Sequence, residues 1–367
     1  MVTGETLWAL EEHTKGKHAV LKAYLSAWFP ILSKYNNRVL FIDGFAGPGR
    51  YQGGEDGSPL IAIKILREHK ATSKIKEAIF LFIEADLKRA EHLKGLLMQL
   101  DSAGQIPSNC KAQVVTGKFD EHLTAVLDVV DEQKKILAPA FVMVDPFGIS
   151  ATPMAVIRRL FQNEKVEVYI SLMYEFLNRF KTTPEFEANL DSLFGSPDWR
   201  NGAELKDALE RKNFFFDLYE DQLRNAGATH VVRFELFEGR RLKYAIFFGS
   251  KNQLGADKMK QAVWKLAPRG DFAFRGGRAH QLELRLDEVD YGPLRSAVSE
   301  FIKSRFPNCV AVEDVEGFVI DRTDYHSRQY KSQALKQLEE EGRIEADPKT
   351  RKRRGTYPPG TRLRWRQ

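Results

Sequence analysis

The feature that most constrains this chain is a rhythm of short apolar runs, several of which stop at an acid or a glycine-rich turn, with amphipathic stretches between them. Val39 to Ile42 ends in Asp43-Gly44-Phe45-Ala46-Gly47-Pro48-Gly49, and Ala78 to Ile83 ends in Glu84. Gln113 to Val115 forms a third run, AFVMV stops at Asp145-Pro146-Phe147-Gly148, and VEVYISLM supplies a fifth. Runs that are apolar at nearly every position suit strands covered on both faces, the condition of a parallel sheet. The stretches between them, among them Leu60 to Arg67 and DLKRAEHLKGLLMQL, carry helical spacing, as does Glu11 to Leu32 with Val20, Leu21, Tyr24, Leu25, Trp28 and Phe29. The pattern predicts an α/β, Rossmann-like sheet that binds its ligand beyond the carboxyl ends of the strands.

Residues 1–290 are expected to form this domain, with 176–240 a polar, helical insertion over the strand ends. THVVRFELFEGRRLKYAIFFGS reads as two strands joined at Glu238-Gly239, completing the sheet with an antiparallel edge, and Gly255 to Leu266 as the helix that follows. Residues 291–367 have another grammar. PLRSAVSEFIKSRFP, VEDVEGFVI and SRQYKSQALKQLEEEG predict three helices, and Arg343 to Ala346 can pair with Arg362 to Trp365 around the basic loop DPKTRKRRGTYPPG. That combination predicts a C-terminal winged helix. The stretch from 343 onward holds nine Lys or Arg against two acids, a charge of +7; the whole chain carries +6, so everything before it sums to −1. A local excess of this kind points to a polyanion, here nucleic acid, with Lys349, Arg351, Lys352, Arg353 and Arg354 on phosphates and Arg328, Gln329 and Lys331 toward a groove.

Composition closes other routes. The two cysteines, Cys110 and Cys309, exclude a disulfide framework, and the scattered histidines lack zinc spacing, so no metal site is expected. No apolar run is long enough to cross a bilayer and the first residues lack signal-peptide order, so a cytoplasmic protein without a membrane partner is expected.

The chemistry concentrates in the first turn. Gly44, Gly47 and Gly49, with Phe45 and Ala46 between them, let backbone come close to a ligand where Cβ atoms would intrude. The order is acid-x-x-x-Gly-x-Gly rather than the dinucleotide fingerprint, and Pro48 removes an amide that a pyrophosphate needs, which argues against a nicotinamide dehydrogenase. A sulfonium cofactor with an amino-acid tail favours a nearby carboxylate such as Asp43, so S-adenosylmethionine is the expected ligand. Glu84, 41 residues on, is placed to accept from ribose hydroxyls. Asp120 is placed to accept from the adenine amino group, with Phe119 packing on the ring. Asp145, Pro146 and Phe147 are the catalytic candidates: an acid accepts from a target amino group and an aromatic ring stacks on its base. Each cysteine follows Asn and lies away from this turn, which excludes a cytosine C5 nucleophile. His13, Lys15, Lys17 and His18 form a polar cluster ahead of the first strand with two readings, a lining of the cofactor or substrate entrance and, the one preferred, a solvated helix start.

The stretches HTKGKHAVLKAYLSAWFPIL, FIDGFAGPGRY, GSPLIAIKIL, FIEAD, VDPFG, YAIFFGSKN and QALKQLEEEGRI, spread over nearly the whole chain, resemble the three-Cys-motif partner proteins, TcmP. The resemblance implies a class I methyltransferase sheet and a three-Cys-motif protein partner similar to radical S-adenosylmethionine enzymes. Two functions are therefore expected: an S-adenosylmethionine-dependent methyltransferase acting on an amino group of a nucleic acid base, or a non-catalytic, nucleic-acid-binding or regulatory partner on the same fold.

Overall fold

A computed structural model describes residues 6–69, 74–148, 152–238, 241–267, 273–274 and 289–366. Helix α1 (Glu12–Leu32) precedes β1 (Arg38–Asp43), α2 (Ser58–Glu68), β2 (Glu77–Glu84), α3 (Leu87–Ser102), β3 (Cys110–Thr116) and α4 (Phe119–Glu132). There follow β4 (Ala140–Val144), α5 (Met154–Leu160), β5 (Val166–Leu172), α6 (Tyr174–Phe180), α7 (Glu187–Phe194), α8 (Trp199–Glu204) and α9 (Ala208–Ala226). Then come β6 (His230–Glu238), β7 (Arg241–Ser250), α10 (Gln253–Trp264) and β8 (Ala273–Phe274).

These strands make one sheet ordered β3-β2-β1-β4-β5-β7-β6-β8, parallel except for β7, which runs antiparallel to both β5 and β6. This is a Rossmann-like, largely parallel α/β sheet. From β1 the chain steps outward to β2 and β3, then returns to β4 on the other side of β1. The reversal leaves a crevice between the carboxyl ends of β1 and β4.

Period-two alternation sends neighbouring strand residues to opposite cores. Phe41, Phe80, Phe82, Phe141 and Met143 face α1, α2 and α3, whereas Ile42, Ile83, Val142 and Val144 face α4, α5 and α9. Phe41 stacks on Phe141 with centroids 5.8 Å apart, pinning β1 to β4. Each fully buried ring of this size contributes roughly 2–3 kcal/mol.

Two expectations about the second half need correction. The stretch 176–240 is not all insertion: α9 lies on the sheet, with Phe215, Phe216, Tyr219 and Leu223 buried beside Phe161, Val168 and Phe247, and β6 is itself a sheet strand. Its apolar i, i+4 stripe (Phe215, Tyr219, Leu223) is that of a crossover helix. The antiparallel strand is also not an edge: β7 sits between β5 and β6. Gly239, the second residue of the expected turn, lies outside the described residues.

The C-terminal part holds α11 (Gly292–Lys303), β9 (Val310–Ala311), α12 (Val312–Arg322), a π-helical turn Lys331–Leu335 leading into α13 (Lys336–Glu340), β10 (Ile344–Ala346) and β11 (Arg362–Trp365). Its sheet has three antiparallel strands, β10-β11-β9, rather than the two expected, because the short Val310–Ala311 pairs with Leu363 and Arg362. This unit shares a core with the main sheet through α10. Trp264 Nε1 donates to the Asp324 carbonyl at 2.8 Å, and buried Asp257 accepts from the Ser327 amide at 2.8 Å. Buried Lys260 donates to the carbonyls of Ile320 and Thr323. Lys260→Met should therefore strand two carbonyls and lower the unfolding free energy by roughly 2–4 kcal/mol, read from urea denaturation.

Candidate functional site

The β1 turn is folded down onto the end of β2. The Ala46 amide donates to the Ile83 carbonyl at 2.9 Å, and the Gly47 amide donates to Glu84 Oε2 at 2.8 Å. The other oxygen of Glu84 accepts from the Asp86 amide at 2.9 Å. His92 of α3 contacts the Pro48 carbonyl through Nδ1 at 2.7 Å, and the Gly57 amide closes the loop onto the Gly49 carbonyl at 2.8 Å. The glycines serve different ends. Gly47 has φ +61°, and a Cβ there would meet only the Trp8 ring, at an ordinary 3.7 Å, so its freedom is conformational. A Cβ on Gly44 would stand 2.3 Å from the Phe119 ring, so Gly44 makes room for a core aromatic rather than for a ligand.

Phe119 is accordingly buried against Phe45, centroids 5.6 Å apart, and does not stand free to cover a ligand. Asp120, in the first turn of α4, has Oδ1 buried with no partner. Asp43 is fully buried: Oδ1 accepts from the Phe45 amide at 3.1 Å and Oδ2 has no partner. Burial pushes its carboxyl up to about 7, Asp145 and Glu84 push the same way, and hydrogen bonding from Ser58 and Phe45 opposes them.

The cleft beside this turn is walled by Phe45 to Tyr51, Asp145 to Phe147, Tyr244, the start of α1, and Trp8 and Glu11 from the irregular segment before it. Asp43, Glu84, Phe119 and Asp120 are set behind the turn instead of on that wall. The α1 residues are the surprise. His13 and Lys17 are each 4% exposed, so among the four polar residues of this cluster only Lys15 and the partly covered His18 reach solvent. Lys17 Nζ donates to both Asp145 oxygens, at 2.8 and 2.7 Å, and lies 4.2 Å from the Tyr244 ring centroid. The clue was in the sequence: 13, 17, 21, 24 and 28 form one helical stripe, and its lower members are core residues. Burial and the Lys17 charge depress both histidines, His18 to about 4, so both are neutral at pH 7.

Phe147 is 67% exposed, as a stacking ring requires, and meets Trp8 edge-on at 5.8 Å. Trp8 also meets Tyr51 edge-on at 5.9 Å and receives the Arg89 guanidinium at 4.7 Å. Its carbonyl accepts from the Gln52 amide at 2.9 Å. Sequence periodicity is silent on Trp8, since it precedes any regular element.

The expected nucleic-acid contacts divide. Arg328, Lys349, Lys352, Arg353 and Arg354 are exposed, and Lys331 is half-buried beside the Tyr330 ring. Gln329 is buried, its Oε1 accepting from the His326 amide at 3.0 Å, and Arg351 is locked in a buried pair with Glu339. Neither Gln329 nor Arg351 is free to meet a phosphate, because each caps or ties down its own loop. Among the described residues no group of three His, Cys, Asp or Glu is placed to hold a metal, and no helix is long and apolar enough to cross a membrane.

No known family model matches the chain, and no curated protein matches it. Among solved structures it is similar to EvdMO1 (12% identity, TM-score 0.32, 64% of this chain and 42% of that one). It is also similar to the N-terminal domain of human METTL16 in complex with SAH (15%, 0.30, 62% and 68%) and to the methyltransferase domain of bacterial CtHen1-C (11%, 0.31, 64% and 100%). The chain thus spans under half the length of EvdMO1. Likeness of this degree carries no argument about chemistry.

The buried acid gives a direct test. Between about pH 4 and 7 folded Asp43 holds a proton that the unfolded chain has released, so its stabilisation is full below about 4 and is lost as pH rises through 7. Wild type should lose roughly 2–3 kcal/mol of unfolding free energy between pH 5 and 8 from this group, and Asp43→Asn should flatten that slope in urea titrations.

Proposed function

We propose that this chain is an S-adenosylmethionine-dependent methyltransferase that acts on an amino group of a nucleic acid base. The observation that carries the reading is that Asp43, Glu84 and Asp145 come from three strand ends to one glycine-rich turn at the sheet's switch point, the first two behind the turn and Asp145 on the cleft wall. The residues fit the cofactor: Asp43 Oδ2 and Asp120 Oδ1 are buried acceptors without partners, and each Glu84 oxygen has only one amide donor on it. Asp43 would face the cationic part of the cofactor, Glu84 its ribose, and Asp120 its adenine. Gly47 and Gly49, both at positive φ, shape the backbone that lies along it.

S-adenosylmethionine supplies an electrophilic methyl group. The chain's work is then placement: Asp145 accepts from the acceptor amine and Phe147 stacks on its base, so that the lone pair meets the methyl carbon in line. With the cofactor bound, the acceptor nitrogen would gain the methyl group, leave S-adenosylhomocysteine behind and release one proton to water. The C-terminal helices and three-stranded sheet are read as a winged helix whose exposed Lys349, Lys352, Arg353 and Arg354 hold phosphates. Family membership, and with it a three-Cys-motif protein partner, rests on the sequence motifs, and co-purification of the two proteins tests it.

A second reading, a non-catalytic partner on this fold, is favoured by Lys17 already standing on Asp145. Transfer of labelled methyl from S-adenosylmethionine to a cellular RNA or DNA pool decides between them. Calorimetry should show S-adenosylhomocysteine binding to wild type and at least about thirtyfold weaker binding to Asp43→Ala plus Glu84→Ala; unchanged binding would sink the cofactor assignment. Deleting 343–367 would remove β10 and β11, so the tail is better tested by charge. Alanine at Lys349, Lys352, Arg353 and Arg354 should lower the log–log salt slope of duplex DNA binding by about 3–4, and an unchanged slope would make the loop a bystander.

A further inference from the structure

Lys17 has no role in the methyltransferase reading above, yet it is the buried cation that touches the proposed catalytic acid. A lysine at 4% exposure without a counter-charge costs several kcal/mol, so its position makes sense only through Asp145. Two of its three N–H donors go to the two carboxylate oxygens, and the ammonium lies near the Tyr244 face. A carboxylate offers about four acceptor positions. With one position on each oxygen taken, two remain for a ligand, and the plane of the carboxylate is held.

Charge adds a restriction. The groups facing this pair are His13 and His18 from α1, Tyr51 from the β1 turn, Tyr169 from β5, Tyr244 from β7, the acids Asp43 and Glu11, and Arg50, which is itself paired with Asp56. Both histidines are neutral at pH 7, burial raises the three tyrosines out of the physiological range, and burial pushes the Asp43 carboxyl up to about 7. Lys17 is therefore the positive charge already spent on Asp145. A protonated alkylamine has no lone pair to offer a methyl donor, and Asp145, already paired with Lys17, is a poor base to take its proton. A neutral, planar amine needs no such deprotonation before it attacks.

Resting on the methyltransferase reading, we propose that Lys17 is the positioning residue for Asp145 and a specificity determinant that restricts the acceptor to a neutral aromatic amine, excluding alkylammonium groups.

The test uses full-length wild type, Lys17→Met and Lys17→Arg. Calorimetry with S-adenosylhomocysteine comes first. No binding by wild type would defeat the methyltransferase reading itself, whereas binding within about threefold in Lys17→Met isolates the role of Lys17. Labelled methyl transfer is then measured to total RNA, to DNA, and to a lysine-rich polypeptide. Lys17→Met should transfer to nucleic acid about a hundredfold more slowly, Lys17→Arg should recover at least about tenfold of that, and the polypeptide should take no label from wild type. The loss in Lys17→Met should fall on kcat and leave the KM for S-adenosylmethionine within about threefold, as expected when Asp145 is displaced and the cofactor site is not. Four results would overturn the proposal: a Lys17→Met rate equal to wild type, no recovery in Lys17→Arg, polypeptide labelled as readily as nucleic acid, or no transfer to nucleic acid by a wild type that binds S-adenosylhomocysteine.

Discussion

The ion pair between buried Lys17 and half-buried Asp145 ties the first helix to the end of the fourth strand, and much of the site follows from it. Burying the lysine is tolerable only beside a counter-charge, so α1 lays its later turns over the main core while its first two turns stand over the strand ends. Tyr24 and Trp28 at the lower end sit against Phe141, within the same aromatic block that stacks Phe41 on Phe141. The helix that closes the cleft is thus fixed by the core that holds β1 beside β4. The wall carrying Asp145 and the turn carrying Asp43 cannot shift independently.

The turn after β1 shows how one short sequence answers two demands. Its amides are pulled toward β2 by Ile83 and Glu84, which places Glu84 in contact with Gly47. Its first glycine leaves space for Phe119, joining α4 to the turn. Three acids then lie close enough to act on one another, and the most buried of them, Asp43, carries the cost as a raised pKa. A group so placed favours any ligand that brings positive charge to it, which is why its unpartnered Oδ2 matters more than its burial alone.

Much of this was legible in the residues. Strand and helix alternation, the carboxyl-end acids and the β1 turn all depend on local periodicity and turn chemistry, which are written along the chain. The burial of Lys17 was half legible: its i, i+4 relation to Leu21 and its i+7 relation to Tyr24 put it on the apolar stripe, but charge argued for solvent. Gln329 and Arg351 failed for a related reason. Composition marks a basic loop, yet which of its side chains turn inward depends on partners such as Glu339, twelve residues away on another element. The β9 strand is two residues long, too short for any pattern to register.

By itself, then, the sequence determined the α/β sheet, the glycine-rich turn with its acids, and the concentration of positive charge after residue 342, because each is a property of neighbours in the chain. Tertiary structure alone decided that α9 covers the sheet, that β7 runs between β5 and β6, that Trp8 lies against Gly47, and above all that Lys17 meets Asp145 across 128 residues. Those contacts arise when separate elements compete for the same buried space, and their outcome depends on packing and on pairing charges out of water rather than on any local pattern.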